Sequence, residues 1–205
     1  MTNDLSTSSP LPPRFYTVHG GITVSRANLP HWSQNECTCF ITFRLADSLP
    51  TEALIRLQTI AQLSAGVPEE EIEESALMQR CLDEGHGSCL LQNDAARQIV
   101  ESALLHFNGL RYQLYAFVVM PNHVHVLFMP FADWNQEKIL HSWKSFTAKE
   151  LNHLNSQSGI VWQKEYWDTL IRNEPHFRKV MNYIHKNDPT KFWSAYAASP
   201  EARNQ

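Results

Sequence analysis

Two apolar segments near the middle of the chain, residues 111–120 and 123–129, are separated only by Pro121 and Asn122. Both segments alternate with the two-residue period of a β-strand. Proline and asparagine are residues that tight turns favour. Two strands joined by so short a turn form an antiparallel hairpin, so the centre of the chain is committed to a sheet.

The segments on either side of this hairpin predict the rest of the fold. The predicted elements are, in chain order, a strand over 37–45, helices over 48–64, 69–83 and 93–107, the hairpin, a helix over 137–154, a strand over 168–171 and a helix from 173 or 174 to before Pro189. This order is that of the split βαβ, or ferredoxin-like, arrangement. We therefore predict an α+β fold, in which helices cover one face of an antiparallel sheet, followed by a C-terminal helix that carries Tyr183. The other face of the sheet would be free for a substrate. Within the first hairpin strand, Tyr115, Phe117 and Val119 are expected to share one face.

The length of 205 residues corresponds to one domain with appendages. Residues 1–13 and 197–205 are predicted to be tails, the first of them disordered, on either side of a single domain over 14–196. Within that domain, residues 14–36 are predicted to be irregular and about 66–92 to form an acidic helical insert. No segment resembles a membrane span or a secretory signal, so a cytoplasmic protein is expected.

Charge is distributed unevenly along the chain. The formal net charge is −4, yet residues 46–101 contain 11 acidic and 3 basic residues, whereas residues 138–191 contain 9 basic and 5 acidic ones. Such asymmetry is compatible with a basic face that binds nucleic acid. The alternative is that both sets are ordinary solvated surface, and this explanation is the commoner one when charge is considered alone.

His123 and His125 begin the second strand of the hairpin. Residues two apart in a strand project to the same side, so the two imidazoles form half of a potential metal site. We expect the pair near the edge of the sheet, facing solvent, with Val124 and Val126 turned towards the helices. The alternative is that the two histidines bind no metal and simply lie on a solvated strand face or in a network of polar side chains.

Tyr183 and Asn187 are four residues apart in the last predicted helix and would share one helix face. A phenol, with a reference pKa of about 10, is a poor nucleophile unless the bond that it attacks is polarised. A metal ion could polarise a phosphodiester for attack, and the Asn187 oxygen is a ligand suited to Mg²⁺ or Mn²⁺. A structural role for the tyrosine is the alternative.

Tyr166 is a weaker candidate nucleophile, because the residue four positions after it, Leu170, has no side-chain atom that could act as a metal ligand. The group Cys81, His86 and Cys89 is a weak zinc candidate, because its spacing matches no common pattern and free thiols are the simpler interpretation.

Five segments together resemble a known family. They are YAFVVMPNHVHVL (115–127), ITFRLADSLP (41–50), VWQKEYWD (161–168), IRNEPHFR (171–178) and YIHKN (183–187). The first resembles the hallmark of HUH single-strand nucleases, and more narrowly that of IS200/IS605-like transposases with one catalytic tyrosine. The set is similar to the branch associated with repetitive extragenic palindromes (REP). The resemblance extends over roughly residues 30–190.

This resemblance implies a metal-dependent endonuclease and strand transferase that acts on single-stranded DNA next to hairpins. His123, His125 and Asn187 would hold Mg²⁺ or Mn²⁺, and Tyr183 would form a 5′-phosphotyrosine. The resemblance also favours a monomer over a dimer that exchanges the tyrosine helix, and a location at the nucleoid. Basic residues expected to contact DNA are Lys144 and Arg172, with Arg178, Lys179 and Lys186 as further candidates.

One departure from the family pattern lies beside the predicted site. The family usually has asparagine followed directly by proline, whereas here Asp188 stands between Asn187 and Pro189. This acid could shift the helix end or add a carboxylate near the metal. Two alternatives to the transposase remain open at this level: a domesticated protein that binds hairpin DNA or RNA without cutting, and a metal-dependent hydrolase that uses water.

Overall fold

The computed structural model describes residues 9–26, 30–50, 81–82 and 84–196. Nearly all of the predicted helices over 48–64 and 69–83, most of the acidic insert, and the tails except residues 9–13 lie outside these ranges, and for them the sequence predictions stand as predictions. No helix within the described residues is long and apolar enough to cross a membrane.

Seven strands and three α-helices lie entirely within this part of the chain, and residues 81–82 are also helical. In chain order they are β1 (Ile22–Arg26), β2 (Pro30–Gln34), β3 (Cys39–Arg44), α1 (Asp94–His106), β4 (Tyr112–Val119), β5 (His123–Pro130), α2 (Gln136–Leu154), β6 (Trp167–Leu170), α3 (Glu174–Asn187) and β7 (Trp193–Ser194). From β3 to α3, these elements lie close to their predicted bounds. The β1–β2 hairpin corrects the prediction of an irregular segment over 14–36, and β7 was not predicted.

The main sheet has five strands in the order β6-β3-β5-β4-β7. All four strand pairs are antiparallel. The first four strands in this order reproduce the ferredoxin-like topology, so the predicted α+β split βαβ fold is confirmed. β5, which carries the two histidines, lies in the middle of the sheet and not at its edge.

Helices α1 and α2 cover one face of the sheet. The buried cluster between them and the sheet includes Ile41, Phe43, Val124, Val126, Phe128, Leu104 and Ile139. Burial of an aliphatic or aromatic side chain of this size contributes about 1.5–3 kcal/mol. Val124 and Val126 therefore face the helices, as predicted, and the alternate positions His123 and His125 face the other way.

Helix α3 packs on the opposite face, which was predicted to be free. Its side chains Phe177, Val180 and Ile184 join a second cluster with Tyr115 and Leu127 of the sheet. The face is therefore partly covered, because the apolar stripe of α3 needs a surface on which to be buried.

A β-bulge in β4 decides which side chains meet α3. The register of β4 against β5 shifts between Leu114 and Ala116. Tyr115 consequently faces α3, whereas Phe117 and Val119 belong to the cluster under α1 and α2. The prediction that Tyr115 shares a face with Phe117 and Val119 was wrong, because the extra residue of a bulge reverses the alternation.

Each of the three helices begins after an asparagine. The side chains of Asn93, Asn135 and Asn173 each accept a hydrogen bond from a backbone N–H of the first turn. Such a cap stabilises a helix by about 0.5–2 kcal/mol relative to alanine. The Asn173 cap defines the residue after which α3, the helix that carries Tyr183, begins.

Candidate active site

His123 and His125 lie on the sheet face that α3 partly covers. Both are completely buried, with 0% of their surface exposed. In the register of β3 against β5, His123 is opposite Arg44 and His125 is opposite Thr42. The expectation of a solvent-facing pair at the sheet edge was wrong, because β5 is flanked by a strand on both sides and α3 packs nearby.

Asn122 holds the His123 ring through its Nδ1 atom. The Asn122 amide nitrogen donates to the carbonyls of Leu82 and His86, at 3.3 and 3.1 Å, so its oxygen must be the atom that faces His123. That oxygen lies 2.8 Å from His123 Nδ1. A carbonyl oxygen only accepts, so the network assigns the proton of His123 to Nδ1 and leaves a lone pair on Nε2.

The His125 ring is held in the same manner by a hydroxyl. Thr42 Oγ1 lies 2.8 Å from His125 Nδ1, and a hydroxyl can either donate or accept. His125 can therefore adopt either tautomer without losing this bond. With a proton on Nε2 it donates to His123 Nε2, which is 3.1 Å away. With the proton on Nδ1, both Nε2 lone pairs point into the same space.

The pair satisfies two requirements of metal ligands. Burial lowers the pKa of His123 to about 3 and the pKa of His125 well below its usual value, so both rings are neutral near pH 7, which is the ligating form. Ligands about 2.1 Å from a cation at adjacent corners of an octahedron lie roughly 3.0 Å apart. The observed separation of the Nε2 atoms, 3.1 Å, fits this arrangement.

Tyr183 reaches the histidines from α3 of the same chain. Its phenol oxygen lies 3.3 Å from His125 Nε2. The edge of its ring also meets Phe40 of β3, with centroids 5.9 Å apart. Burial of Val180 and Ile184 on either side of Tyr183 along the helix holds this face of α3 against the sheet. The structure thus brings together three of the four predicted site residues.

Asn187, the fourth, is one turn further along α3. Its amide nitrogen donates to the Tyr183 carbonyl at 2.9 Å, and the hydrogen bonds found among the described residues do not join it to either imidazole. Within these same residues there is no cluster of three or more histidine, cysteine, aspartate or glutamate side chains that could hold a metal. A complete metal site here would need a ligand of another type, and an amide oxygen is one.

Asp188, the departure from the family pattern, caps the C-terminus of α3. Its Oδ1 accepts from the Thr190 backbone and hydroxyl at 3.0 and 2.6 Å, and its Oδ2 pairs with Lys191 at 3.0 Å. The hydrogen bond from the Thr190 hydroxyl is the largest of the effects that lower the pKa of this carboxyl to about 2. Both carboxylate oxygens of Asp188 are therefore bonded at the C-terminal end of α3. This favours an effect of Asp188 on the helix end over the addition of a carboxylate near the metal.

The predicted DNA contacts occupy two regions. Lys144 lies half-buried in an open groove of about 880 Å³ between α2 and residues 159–166. Its ammonium donates to the Lys164 carbonyl at 2.9 Å, and burial lowers its pKa to about 8. Four others are exposed on or beside α3: Arg172, Arg178, Lys179 and Lys186. Arg178 forms an ion pair with Glu174 at 2.8 Å.

The weaker sequence candidates lie elsewhere. Tyr166 is buried and stacks on His31, with ring centroids 3.9 Å apart, so it is part of the packing between β2 and β6. His86 is 2.8 Å from Glu84, and the Cys89 thiol donates to the Gly85 carbonyl. Neither belongs to a metal cluster within the described part of the chain.

Three residues that contact or flank the histidines were not singled out from the sequence as site residues: Thr42, Arg44 and Asn122. In the sequence, Asn122 was interpreted only as a turn residue, although its position directly before His123 could have indicated that it contacts that ring. Thr42 and Arg44 reach the histidines through the pairing of β3 with β5, which are about 80 residues apart in the chain, and no local pattern encodes that register.

The chain is similar to a known family of proteins and to solved structures. The family model described as "Transposase IS200 like" matches residues 75–187, more than half of the chain. No curated protein matches the chain. Among solved structures, a REP-associated tyrosine transposase bound to a REP hairpin is 20% identical, with a TM-score of 0.47 over 76% of this chain and 68% of that one. A candidate transposase from Deinococcus radiodurans R1 is 14% identical, with a TM-score of 0.32 over 73% of this chain and 89% of that one.

The family model spans both the histidine pair and the helix that carries Tyr183. Its match therefore includes the residues that the fold brings together, and it agrees with the resemblance found in the sequence motifs. The chain belongs to the family of IS200-like transposases.

Proposed function

We propose that this protein is a metal-dependent endonuclease and strand transferase for single-stranded DNA, in which Tyr183 is the nucleophile. The observation that carries the proposal is the 3.3 Å approach of the Tyr183 phenol to His125, beside a second imidazole 3.1 Å away. A nucleophile next to a pair of neutral metal-ligand side chains is the combination that metal-assisted phosphoryl transfer requires.

His123 and His125 would hold the metal, Mg²⁺ or Mn²⁺, and Asn187 is the proposed third ligand. The metal, when bound, supplies Lewis-acid polarisation of the scissile phosphate. Asn122 and Thr42 hold the two rings through their Nδ1 atoms and so keep both Nε2 atoms directed at one point. Because the histidines and Tyr183 are on a strand and a helix that pack together, the fold brings them close to one another before DNA binds.

The reaction exchanges one phosphate ester for another. The phenol oxygen of Tyr183 forms a bond to phosphorus and loses its proton, and the bond between phosphorus and the 3′ oxygen breaks, so that this oxygen leaves as a 3′-hydroxyl. The products are a 5′-phosphotyrosine and a free 3′ end. Attack by a second 3′-hydroxyl reverses the step and joins new ends, and no ATP is needed because the number of phosphate ester bonds is conserved.

Hairpin-flanked single strands are the proposed substrate. This proposal is supported by the motifs at 41–50 and 161–187, which resemble the REP-associated branch. Lys144, Arg172, Arg178, Lys179 and Lys186 are proposed to contact phosphates; all but Lys144 are exposed basic side chains. A cytoplasmic location at the nucleoid and a monomeric state are part of the same proposal.

A non-cleaving hairpin-binding protein is the second candidate. It is favoured by two observations: the complete burial of both histidines and the engagement of the Asn187 amide within its own helix. These features describe a site that must open before a phosphate can reach it. A domesticated protein could bind DNA without that opening.

The test is an incubation of the protein with 5′- and 3′-labelled hairpin oligonucleotides from its own genomic flanks, with and without Mn²⁺, resolved on a denaturing gel. We expect a metal-dependent protein–DNA adduct that Tyr183→Phe and His125→Ala both abolish. Tyr166→Phe is the matched control, because Tyr166 packs on His31 and should leave the adduct intact.

Other results would redirect the assignment. DNA that is retarded on a native gel but yields no adduct would favour the binding protein. Cleavage that survives Tyr183→Phe but not His125→Ala would show a hydrolase that uses water, with Tyr183 in a structural role.

A further inference from the structure

Arg44 ends strand β3 as a buried cation. Only 2% of its surface is exposed, and it is among the largest fully buried side chains of the protein. Removing a charged group from water is costly unless a counter-charge and hydrogen bonds compensate for the loss. The partners of this guanidinium therefore indicate whether its purpose is structural.

The described partners leave Arg44 incompletely satisfied. One terminal nitrogen, Nη1, donates to the Ser48 hydroxyl at 3.2 Å and makes a long contact to the Leu45 carbonyl at 3.5 Å. Its Nε is buried, and no residue in the described part of the chain accepts a hydrogen bond from it. The ion pairs of the described residues do not include Arg44. Burial alone lowers its pKa to about 10, so it stays charged at neutral pH.

The guanidinium belongs to a residue on the same sheet face as the candidate active site. On β3, Phe40 stacks on His125 with centroids 5.6 Å apart, and Thr42 bonds His125 at 2.8 Å, so the even-numbered residues face the histidines. Arg44 continues that face and is the cross-strand partner of His123. Side chains of directly opposed residues start about 4.5–5.5 Å apart.

We propose that the Arg44 guanidinium binds a phosphate oxygen of the DNA strand next to the phosphate held at the histidine pair. The inference rests on the proposed function, since it takes DNA as the ligand. A guanidinium presents a planar set of donors that suits phosphate, and the vacant Nε supplies a donor for it. An anion is also what would stabilise a positive side chain beside a metal site, because two cations alone repel each other.

The burial of Arg44 does not conflict with this role. The histidines are buried to the same degree, so any movement that admits DNA to them must open the same sheet face. The alternative is that Arg44 only braces the turn that contains Ser48, with its guanidinium carbon 5.7 Å from the Trp167 ring centroid. If Arg44 only braces this turn, substituting it should change the stability of the protein but not the number of DNA phosphates that the protein contacts.

The experiment measures DNA binding in EDTA, so that neither metal nor cleavage contributes. A fluorescein-labelled hairpin oligonucleotide with single-stranded flanks is titrated with the full-length protein at several salt concentrations, and anisotropy gives Kd. Arg44→Gln removes the charge, and Arg97→Gln is the matched control, because Arg97 is paired with Asp94 and Glu101 on α1 across the sheet.

We expect Arg44→Gln to weaken binding about tenfold, as loss of a charged hydrogen bond would. The slope of log Kd against log salt should fall by about 0.7, which corresponds to one lost phosphate contact to a single strand. Arg97→Gln should alter neither quantity. A folded Arg44→Gln variant that binds with wild-type affinity and slope would overturn the proposal.

Arg44→Lys keeps the test decisive if Arg44→Gln does not fold. Lysine retains the charge but not the planar set of donors, so the salt slope should remain near the wild-type value while affinity falls severalfold. Wild-type affinity in the lysine variant would contradict a guanidinium–phosphate contact. A wild-type protein that binds but never forms the tyrosine adduct would refute the proposed catalysis, yet the effect of Arg44 on binding could still be measured.

Discussion

The phenol oxygen of Tyr183 and the Nε2 atom of His125 lie 3.3 Å apart within a single chain. The proposed nucleophile and two of the proposed metal ligands, His123 and His125, therefore lie together within one chain. Burial of Phe177, Val180 and Ile184 against the sheet of the same chain holds the helix in this position.

Complementation between inactive variants tests this arrangement. We expect a mixture of His125→Ala and Tyr183→Phe proteins to form no DNA adduct, because neither chain contains a complete site. If two chains exchanged α3, about half of the dimers in an equimolar mixture would be heterodimers, and one of the two sites in each heterodimer would contain both His125 and Tyr183, so about a quarter of the wild-type activity would return. The measurement is adduct formation in the mixture, with wild-type protein at the same total concentration as the reference.

Asn122→Ala is expected to weaken binding of Mn²⁺ by about 10–100-fold, the usual effect of removing a residue that orients a metal ligand. Without the Asn122 oxygen, His123 loses the hydrogen bond that assigns its proton to Nδ1. Titration calorimetry of the DNA-free protein measures this effect. Asn152→Ala is the control, since its amide bonds the Gly159 carbonyl at the far end of α2. Equal affinity in the wild type and Asn122→Ala would contradict the orienting role.

His31 predicts a pH-dependent contribution to stability. Burial opposes its charged form, but the hydrogen bond to Asp168 at 2.6 Å and the charges of Asp168 and Glu165 outweigh burial and raise the pKa above 6.5. A raised folded-state pKa gives stabilisation that is fully present below the unfolded value and is lost as pH rises through the folded value.

The check is urea unfolding of the wild type and His31→Gln between pH 5.5 and about 9, compared by linear extrapolation. The difference in unfolding free energy should be largest at the acid end of this range and shrink as pH increases. A difference that stays constant with pH would show that His31 acts through packing on Tyr166 and not through its charge.

Tyr112 joins β4 to both covering helices through its hydroxyl. It donates to the Leu104 carbonyl at 2.7 Å and accepts from Trp143 Nε1 at 3.0 Å. Tyr112→Phe leaves the buried Leu104 carbonyl and the Trp143 indole N–H without the hydroxyl as hydrogen-bond partner, which should lower the unfolding free energy by about 1–3 kcal/mol. A double-mutant cycle with Trp143→Phe measures the coupling between the two side chains, and additive effects would mean that the hydrogen bond between Tyr112 and Trp143 contributes nothing.

Much of the fold could be predicted because its signals are local. The period of two in β4 and β5 predicted strands, the period near 3.6 in α3 predicted a helix, and Asn93 marked the start of α1. The same local geometry placed His123 with His125 on one strand face and Tyr183 on a helix. The β1–β2 hairpin was missed because it is held by long-range bonds, among them that of His31 to Asp168, which leave no periodic trace.

The sequence by itself determined the identities and local order of the chemical groups: two imidazoles on one strand, a phenol on one helix, and the motifs that resemble IS200-like transposases. Tertiary structure alone decided their surroundings. It placed β5 inside the sheet, which buried the histidines, and set the register that puts Arg44 beside His123 and Thr42 beside His125. The physical reason is that periodicity fixes the face on which a side chain lies, whereas strand pairing across the chain fixes its neighbours.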